Sequence, residues 1–166
     1  MSTKKILGID PGTGICGFGV VSFTTHRQPR MVTAGVISTP AHTPLADRLL
    51  DIFDSLNQII DETQPDEVSI EKLYFNQNIT TGISVAEARG VVLLVARQHN
   101  LPTYEYTPLQ IKQTLTGYGR ANKKQMQESV RQYLKMRDIV KPDDAADALA
   151  AAITHALMTR AQYDLS

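Results

Sequence analysis

Residues 6–15 read ILGIDPGTGI. A short apolar run leads straight into a carboxylate, Asp10, and the chain then turns at Pro11-Gly12 into small residues. A run of this kind bounded by Pro-Gly fits a buried strand. A buried strand has little reason to end on an acid, because a desolvated carboxylate is costly unless it is paired or faces a cation. Asp-Pro-Gly is also a good turn sequence, so Asp10 on its own reads first as a turn former.

Outward from this stretch, the first forty residues carry the signal of a β-meander. KILGID, CGFGVVSF and RMVTAGVIS are short, rich in β-branched and aromatic residues, and separated by the turn signals PGTG and HRQP. Thr43 is placed to cap a helix with Leu45, Leu49, Ile52, Phe53, Leu56 and Ile60 at helical spacing. After the breaker TQPDE, EVSIE reads as a fourth strand that again ends on a carboxylate, Glu71. KLYFNQNITTG reads as loop, and the helix expected over 84–99 is apolar nearly all round. LPTYEYTP supplies a fifth strand and LQIKQTLTG a short helix. Asn122 with Gln125 makes a capping box for a basic amphipathic helix, and Asp143 after Pro142 is placed as N-cap of a last, Ala-rich one. Three strands followed by alternating helix and strand predict an α/β fold, a mixed five-stranded sheet flanked by helices on both faces. Residues 1–160 are expected to form one domain and 161–166 a frayed tail.

The 166 residues, 42% apolar and 20% charged, fit an ordinary soluble globular protein. No apolar stretch is expected to span a bilayer, which takes roughly 18–20 residues. MSTKKILGID is not a secretory signal, so a cytoplasmic location is expected. The single Cys16 excludes an internal disulfide and a thiolate zinc site. Formal net charge is zero, yet residues 112–141 carry eight Lys or Arg against two acids. A polyanion would feel that basic face rather than the total, although a solvated helix surface would look the same.

Four acids stand out: Asp10, Glu71, Asp144 and Asp147. Two end strands, and two lie three apart near the start of a helix, so they share a face. Clustered carboxylates repel unless cations sit between them, and oxygen donors suit Mg²⁺ or Mn²⁺. Two such ions in one site suit phosphodiester hydrolysis. Against this, Glu71 has a lysine as a conceivable partner, and Asp143 and Asp144 suit a helix N-terminus. His155 lies eleven residues past Asp144, about 16 Å along a straight helix, so it reads as structural.

GIDPGTGICGFGVV, SIEKLYFNQN, GYGRANKKQ and DDAADALAAAITHA, in that order, resemble the RuvC family of Holliday-junction resolvases. The resemblance implies an RNase H-like fold and a homodimer that cuts opposed strands of a four-way DNA junction. It implies hydrolysis by a metal-activated water, with Mg²⁺ or Mn²⁺ as cofactor at two ions per site, leaving 5′-phosphate and 3′-hydroxyl ends. Asp10, Glu71, Asp144 and Asp147 match the catalytic acids and metal ligands, and Lys112 and Lys123 match lysines near the scissile phosphate. Lys123 is expected to stabilise phosphate charge. Tyr74 and Phe75 are placed to stack on unpaired bases, and Arg120, Lys124 and Arg131 to clamp backbone. A RuvA–RuvB branch-migration complex is an expected partner. The apolar helix over 84–99 is a candidate dimer surface, probed by charge at Val92 or Leu93. An actin-like kinase would need a second domain and a second phosphate loop. An RNase H-like nuclease for RNA remains the nearer alternative, and a non-catalytic junction binder would not need the full acidic set.

Overall fold

The computed structural model describes residues 3–72 and 79–163, the side chains of 161–163 excepted. The element order is β1 (Lys4–Asp10), β2 (Ile15–Thr24), β3 (Arg27–Ser38), α1 (Leu45–Thr63), β4 (Glu67–Glu71), α2 (Ile79–Gln98), β5 (Thr103–Tyr106), α3 (Pro108–Thr116), α4 (Lys123–Tyr133) and α5 (Asp143–Tyr163). The sheet has five strands in the order β3-β2-β1-β4-β5. β1–β2 and β2–β3 pair antiparallel as the meander requires, while β4 and β5 add parallel to β1, each reached through a helix. The expected mixed sheet with helices on both faces is therefore present.

Strand alternation sorts the two faces. Leu7 and Ile9 of β1 and Val68 and Ile70 of β4 pack with Ile52, Leu56 and Ile60 of α1 and Ala88, Val92 and Val95 of α2. Ile6 faces the opposite side, where Ala145, Leu149, Ala152 and Ile153 of α5 meet Ile111 and Leu115 of α3 and Met126 and Val130 of α4. Gly8 and Gly17 also face α5, and there glycine is a steric requirement. A Cβ on Gly8 would stand 1.9 Å from the Ala148 carbonyl oxygen, and one on Gly17 2.1 Å from that of Asp144. The helix therefore rides against bare backbone at the active end of the sheet.

Several expectations shift. β3 begins at Arg27, inside the HRQP stretch expected to be turn, rather than at Arg30, because the β2–β3 connection tightens to Thr25-His26. Thr43 does not cap α1; Pro44 holds the N-cap position, and no side chain bonds there. α2 starts at Ile79, inside the stretch read as loop, although Thr80, Thr81 and Gly82 are weak helix formers. Gly82 is nonetheless buried in this first turn. α3 has an unforeseen capping box, Thr107 with Gln110, while the Asn122–Gln125 box opens α4 as expected. Asp143 is the first residue of α5 rather than its N-cap; the Pro142 carbonyl accepts from Ala145, and the Asp143 carboxylate is drawn to α4.

Contrary to the expectation that no stretch could span a bilayer, α2 is long and apolar enough to cross a membrane, and only 28% of that window is buried. Its inner face belongs to the core, however, and Arg89 pairs with Glu105 beside β5. Tyr74, Phe75 and most of the tail expected at 161–166 lie outside the described residues or side chains; the α5 backbone continues to Tyr163.

Candidate active site

Asp10 and Glu71 are the last residues of neighbouring parallel strands, in register through Ile9 and Ile70. By alternation both carboxylates face α5, like Gly8 on β1 and Ser69 on β4. The Ser69 hydroxyl donates to the Ala151 carbonyl at 2.7 Å, which fixes α5 along β4. Beyond it, Glu67 meets His155. Every polar residue of EVSIE therefore serves the α5 face.

α5 brings Asp144 and Asp147 to Asp10. One oxygen from each of the three lies within 4.8 Å of the others, close enough to share a cation. Oxygen-only donors of this kind suit a hard divalent ion. Burial and the Glu71, Asp147 and Asp144 charges push Asp10 well above the usual carboxylate range, and a hydrogen bond with Glu71 adds to that. Burial and the Asp147 charge push Glu71 up too, opposed by that hydrogen bond and by Lys112. Asp147 is raised chiefly by burial. Without cations the cluster retains protons that a divalent ion would displace, and these residues fit such an ion.

Glu71 and Asp147 line a cavity of about 230 Å³ together with Lys112 and Lys123. Lys112 comes from α3, and Lys123 from the capped first turn of α4. The Lys123 ammonium donates to Asp143 at 2.7 Å, and Gln127 donates to the other oxygen of the same carboxylate at 2.7 Å. Asp143, assigned no partner in the sequence reading, thus orients a lysine over the cluster. The loop after Asp10 is fastened by Thr39, whose hydroxyl donates to the Thr13 carbonyl, and by a bond between Thr13 and Ser84 of α2.

The other expected contacts are dispersed. Arg120 is exposed in the α3–α4 turn, and Lys124 lines a separate cleft beside Tyr118. Arg131 is occupied within the chain: Glu128 accepts from its Nε and Nη2, and the Met136 carbonyl accepts from Nη1 at 3.0 Å. His155 is fully buried away from the cluster. Its Nε2 meets Glu67 and its Nδ1 the Tyr106 hydroxyl, both at 2.7 Å, with Tyr104 stacked on the ring. Desolvation lowers its pKa against the pull of Glu67.

The profile of one family, crossover junction endodeoxyribonuclease RuvC, matches residues 6–155. The chain belongs to the RuvC family. The RuvC protein of Desulfitobacterium hafniense is 54% identical over 151 residues, 91% of each chain. That of Thermotoga maritima is 46% identical over 162 residues, 98% of this chain and 96% of its own. Among solved structures, RuvC of T. thermophilus in complex with a Holliday junction substrate superposes with a TM-score of 0.91 at 32% identity, covering 96% of this chain and 97% of that one. The yeast mitochondrial Holliday junction resolvase Ydc2 shares the fold, with a TM-score of 0.69 at 16% identity over 98% of this chain and 81% of its own.

Proposed function

We infer that the Asp10 cluster is the catalytic centre of a crossover junction endodeoxyribonuclease, which cuts opposed strands of a four-way DNA junction in recombination and repair. Family membership supports the activity, and the three aspartate oxygens within 4.8 Å carry its location. Asp10, Glu71, Asp144 and Asp147 would hold Mg²⁺, or Mn²⁺, at two ions per site. When bound, such ions neutralise phosphodiester charge and lower the pKa of a water nucleophile. β1 and β4 hold Asp10 and Glu71 rigidly at strand ends, and the close approach of Gly8 to Ala148 and of Gly17 to Asp144 sets the depth of Asp144 and Asp147. Lys112 and Lys123 enter the cavity as cations for the scissile phosphate, with Asp143 keeping Lys123 aimed. Hydrolysis separates the phosphorus from the 3′ oxygen and leaves 5′-phosphate and 3′-hydroxyl ends.

The homodimer is proposed through the outer stripe of α2. Ile79, Ile83 and Leu94 are 76%, 51% and 55% exposed, whereas Val92 is buried in the core. Charge at Val92 would therefore disrupt folding rather than report on assembly. A two-fold contact along this stripe would set two sites at a fixed separation. Tyr74, Phe75, Arg120 and Lys124 are proposed DNA contacts; Arg131 is proposed to act only through the α4 end it braces. A cytoplasmic location and a RuvA–RuvB partner complete the proposal.

A synthetic four-way junction, a matched duplex and an RNA–DNA hybrid, each with Mg²⁺ or with EDTA, test it. Paired nicks confined to the junction and abolished by EDTA are expected. Cleavage surviving in EDTA, or preferred on the hybrid, would overturn it.

A further inference from the structure

α4 links the catalytic cavity to a second basic cleft. Its first residue, Lys123, lines the cavity, and the residues just after its last turn, Leu134 and Lys135, line a cleft of about 720 Å³ whose opposite wall is the start of β3. That wall contributes Arg27 and Arg30, with Pro29 buried between them, and His26 sits at the rim. Among the described residues, none of those lining the cleft is acidic. Both walls are braced: Arg160 of α5 donates to the Arg27 carbonyl at 2.6 Å, and Arg131 to the Met136 carbonyl at 3.0 Å.

The backbone at Lys135 gives a second, separate indication. Met136 N–H bonds the Arg131 carbonyl at 2.9 Å and Lys135 N–H that of Gln132 at 3.1 Å, a Schellman ending with Lys135 at the left-handed position, φ 52°. Glycine is the residue most easily accommodated there, since it lacks the Cβ that left-handed backbone disfavours. The chain instead places a lysine on the cleft wall.

Two rulers give the distance from the catalytic end. Twelve residues of helical rise from Lys123 to Lys135 make about 18 Å. Along the sheet, Asp10 pairs with Gly17 at one end of β1 and Lys4 with Phe23 at the other, next to the β2–β3 turn, a span of roughly 20 Å. That is about five to six base-pair steps of duplex at 3.4 Å each. We propose that Arg27, Arg30 and Lys135 clamp the phosphate backbone of the junction arm about five to six base pairs from the scissile phosphate. The charge of the cleft and its spacing along α4 favour this occupant over an acidic protein segment. The proposal rests on Lys123 standing at the scissile phosphate, as inferred above.

The test is junction binding in EDTA, so that a failed catalytic assignment would appear in the cleavage assay and a failed clamp in this one. R30Q combined with K135G is compared with the wild-type chain across a salt series, on junctions with and without neutral methylphosphonates about five to six base pairs from the cut. The variant is expected to lower the slope of log affinity against log salt by about 2 per protomer, about 4 for the dimer. The methylphosphonates are expected to weaken wild-type binding several-fold and the variant, which keeps Arg27, distinctly less. K135G alone is expected to melt no lower than wild type, which separates lost contact from lost fold. An unchanged slope, or an equal loss for both proteins on the modified junction, would overturn the proposal. Equal loss with selective capture of a poly-glutamate peptide would assign the cleft to an acidic segment instead.

Discussion

Replacing Gly17 by alanine adds one methyl group where β2 meets the first turn of α5. The new Cβ would lie 2.1 Å from the Asp144 carbonyl oxygen and 2.6 Å from its carbonyl carbon, against 3.4 Å for an ordinary contact. The helix end must then retreat by about 1.3 Å, or the strand must bend. Asp144 belongs to the cluster whose oxygens converge within 4.8 Å, so a shift of that size pulls one ligand away from Asp10. A misplacement near 1 Å costs on the order of 100-fold in rate. Overpacking costs typically about 1–3 kcal/mol, partly offset by about 0.5–1 kcal/mol for replacing glycine within a strand. The melting temperature is expected to fall by only a few degrees. The assay is single-turnover cleavage of a four-way junction at saturating enzyme and Mg²⁺, beside a thermal melt. Gly19→Ala serves as control, because its Cβ meets the Leu149 side chain at 2.6 Å, deeper along α5 than the acids. It is expected to cost stability and retain most of the rate. Gly17→Ala cutting as fast as wild type, or the two variants losing rate in proportion to stability, would refute the view that this glycine sets the depth of the catalytic acids.

Asp10 and Glu71 bind protons more tightly in the fold than unfolded, so below neutral pH the folded state holds extra protons. Their contribution to stability in EDTA is greatest at acid pH and is lost as pH rises through the raised values. Mg²⁺ replaces those protons, so its thermal stabilisation is expected to be larger at about pH 8 than at about pH 6. The reverse order in paired melts would exclude the cluster as the metal site. His155 shifts the other way: its lowered pKa means the unfolded chain takes up the proton first, and stability is expected to fall as pH drops below the ordinary histidine value. Truncating it to alanine removes the hydrogen bonds it makes with buried Glu67 and with the Tyr106 hydroxyl, and is expected to cost about 1–3 kcal/mol for each group left unmatched in denaturant melts, with junction specificity unchanged. Leu94→Glu on the outer stripe of α2 is expected to give folded monomers by light scattering; a dimeric variant would remove that stripe from the interface.

The strand ends and the acids were legible because period-two alternation and i, i+3 spacing are local properties. GIDPG and EVSIE each carry their apolar face, their acid and their stop within a few residues. Glu67 and Ser69 were equally legible, since they alternate onto the same face as Glu71, but their use depends on what α5 offers there: the Ala151 carbonyl and His155. The Thr107–Gln110 capping box was also written in the sequence, as T-P-L-Q. The start of α2 was not, because Thr80, Thr81 and Gly82 form its first turn against their local propensity. Nor could a sequence window show that Gly17 touches Asp144, a contact across more than a hundred residues. Arg131 illustrates the limit of charge counting: its guanidinium is matched by Glu128 one turn earlier, and its remaining amino group holds the helix end. Lys135 is the converse, unremarkable as one more lysine until its left-handed backbone is known.

Asp10→Asn keeps the size and polarity of the side chain and removes the charge that the other acids and a divalent ion would share. Junction binding by gel shift in EDTA, followed by cleavage in Mg²⁺ with the same preparation, tests the central claim most directly. Binding close to wild type with cleavage reduced by at least about 1,000-fold is the expected result. An Asp10→Asn protein that cuts the junction at a rate near wild type would contradict the account, because the residue at its centre would then hold no part of the reaction.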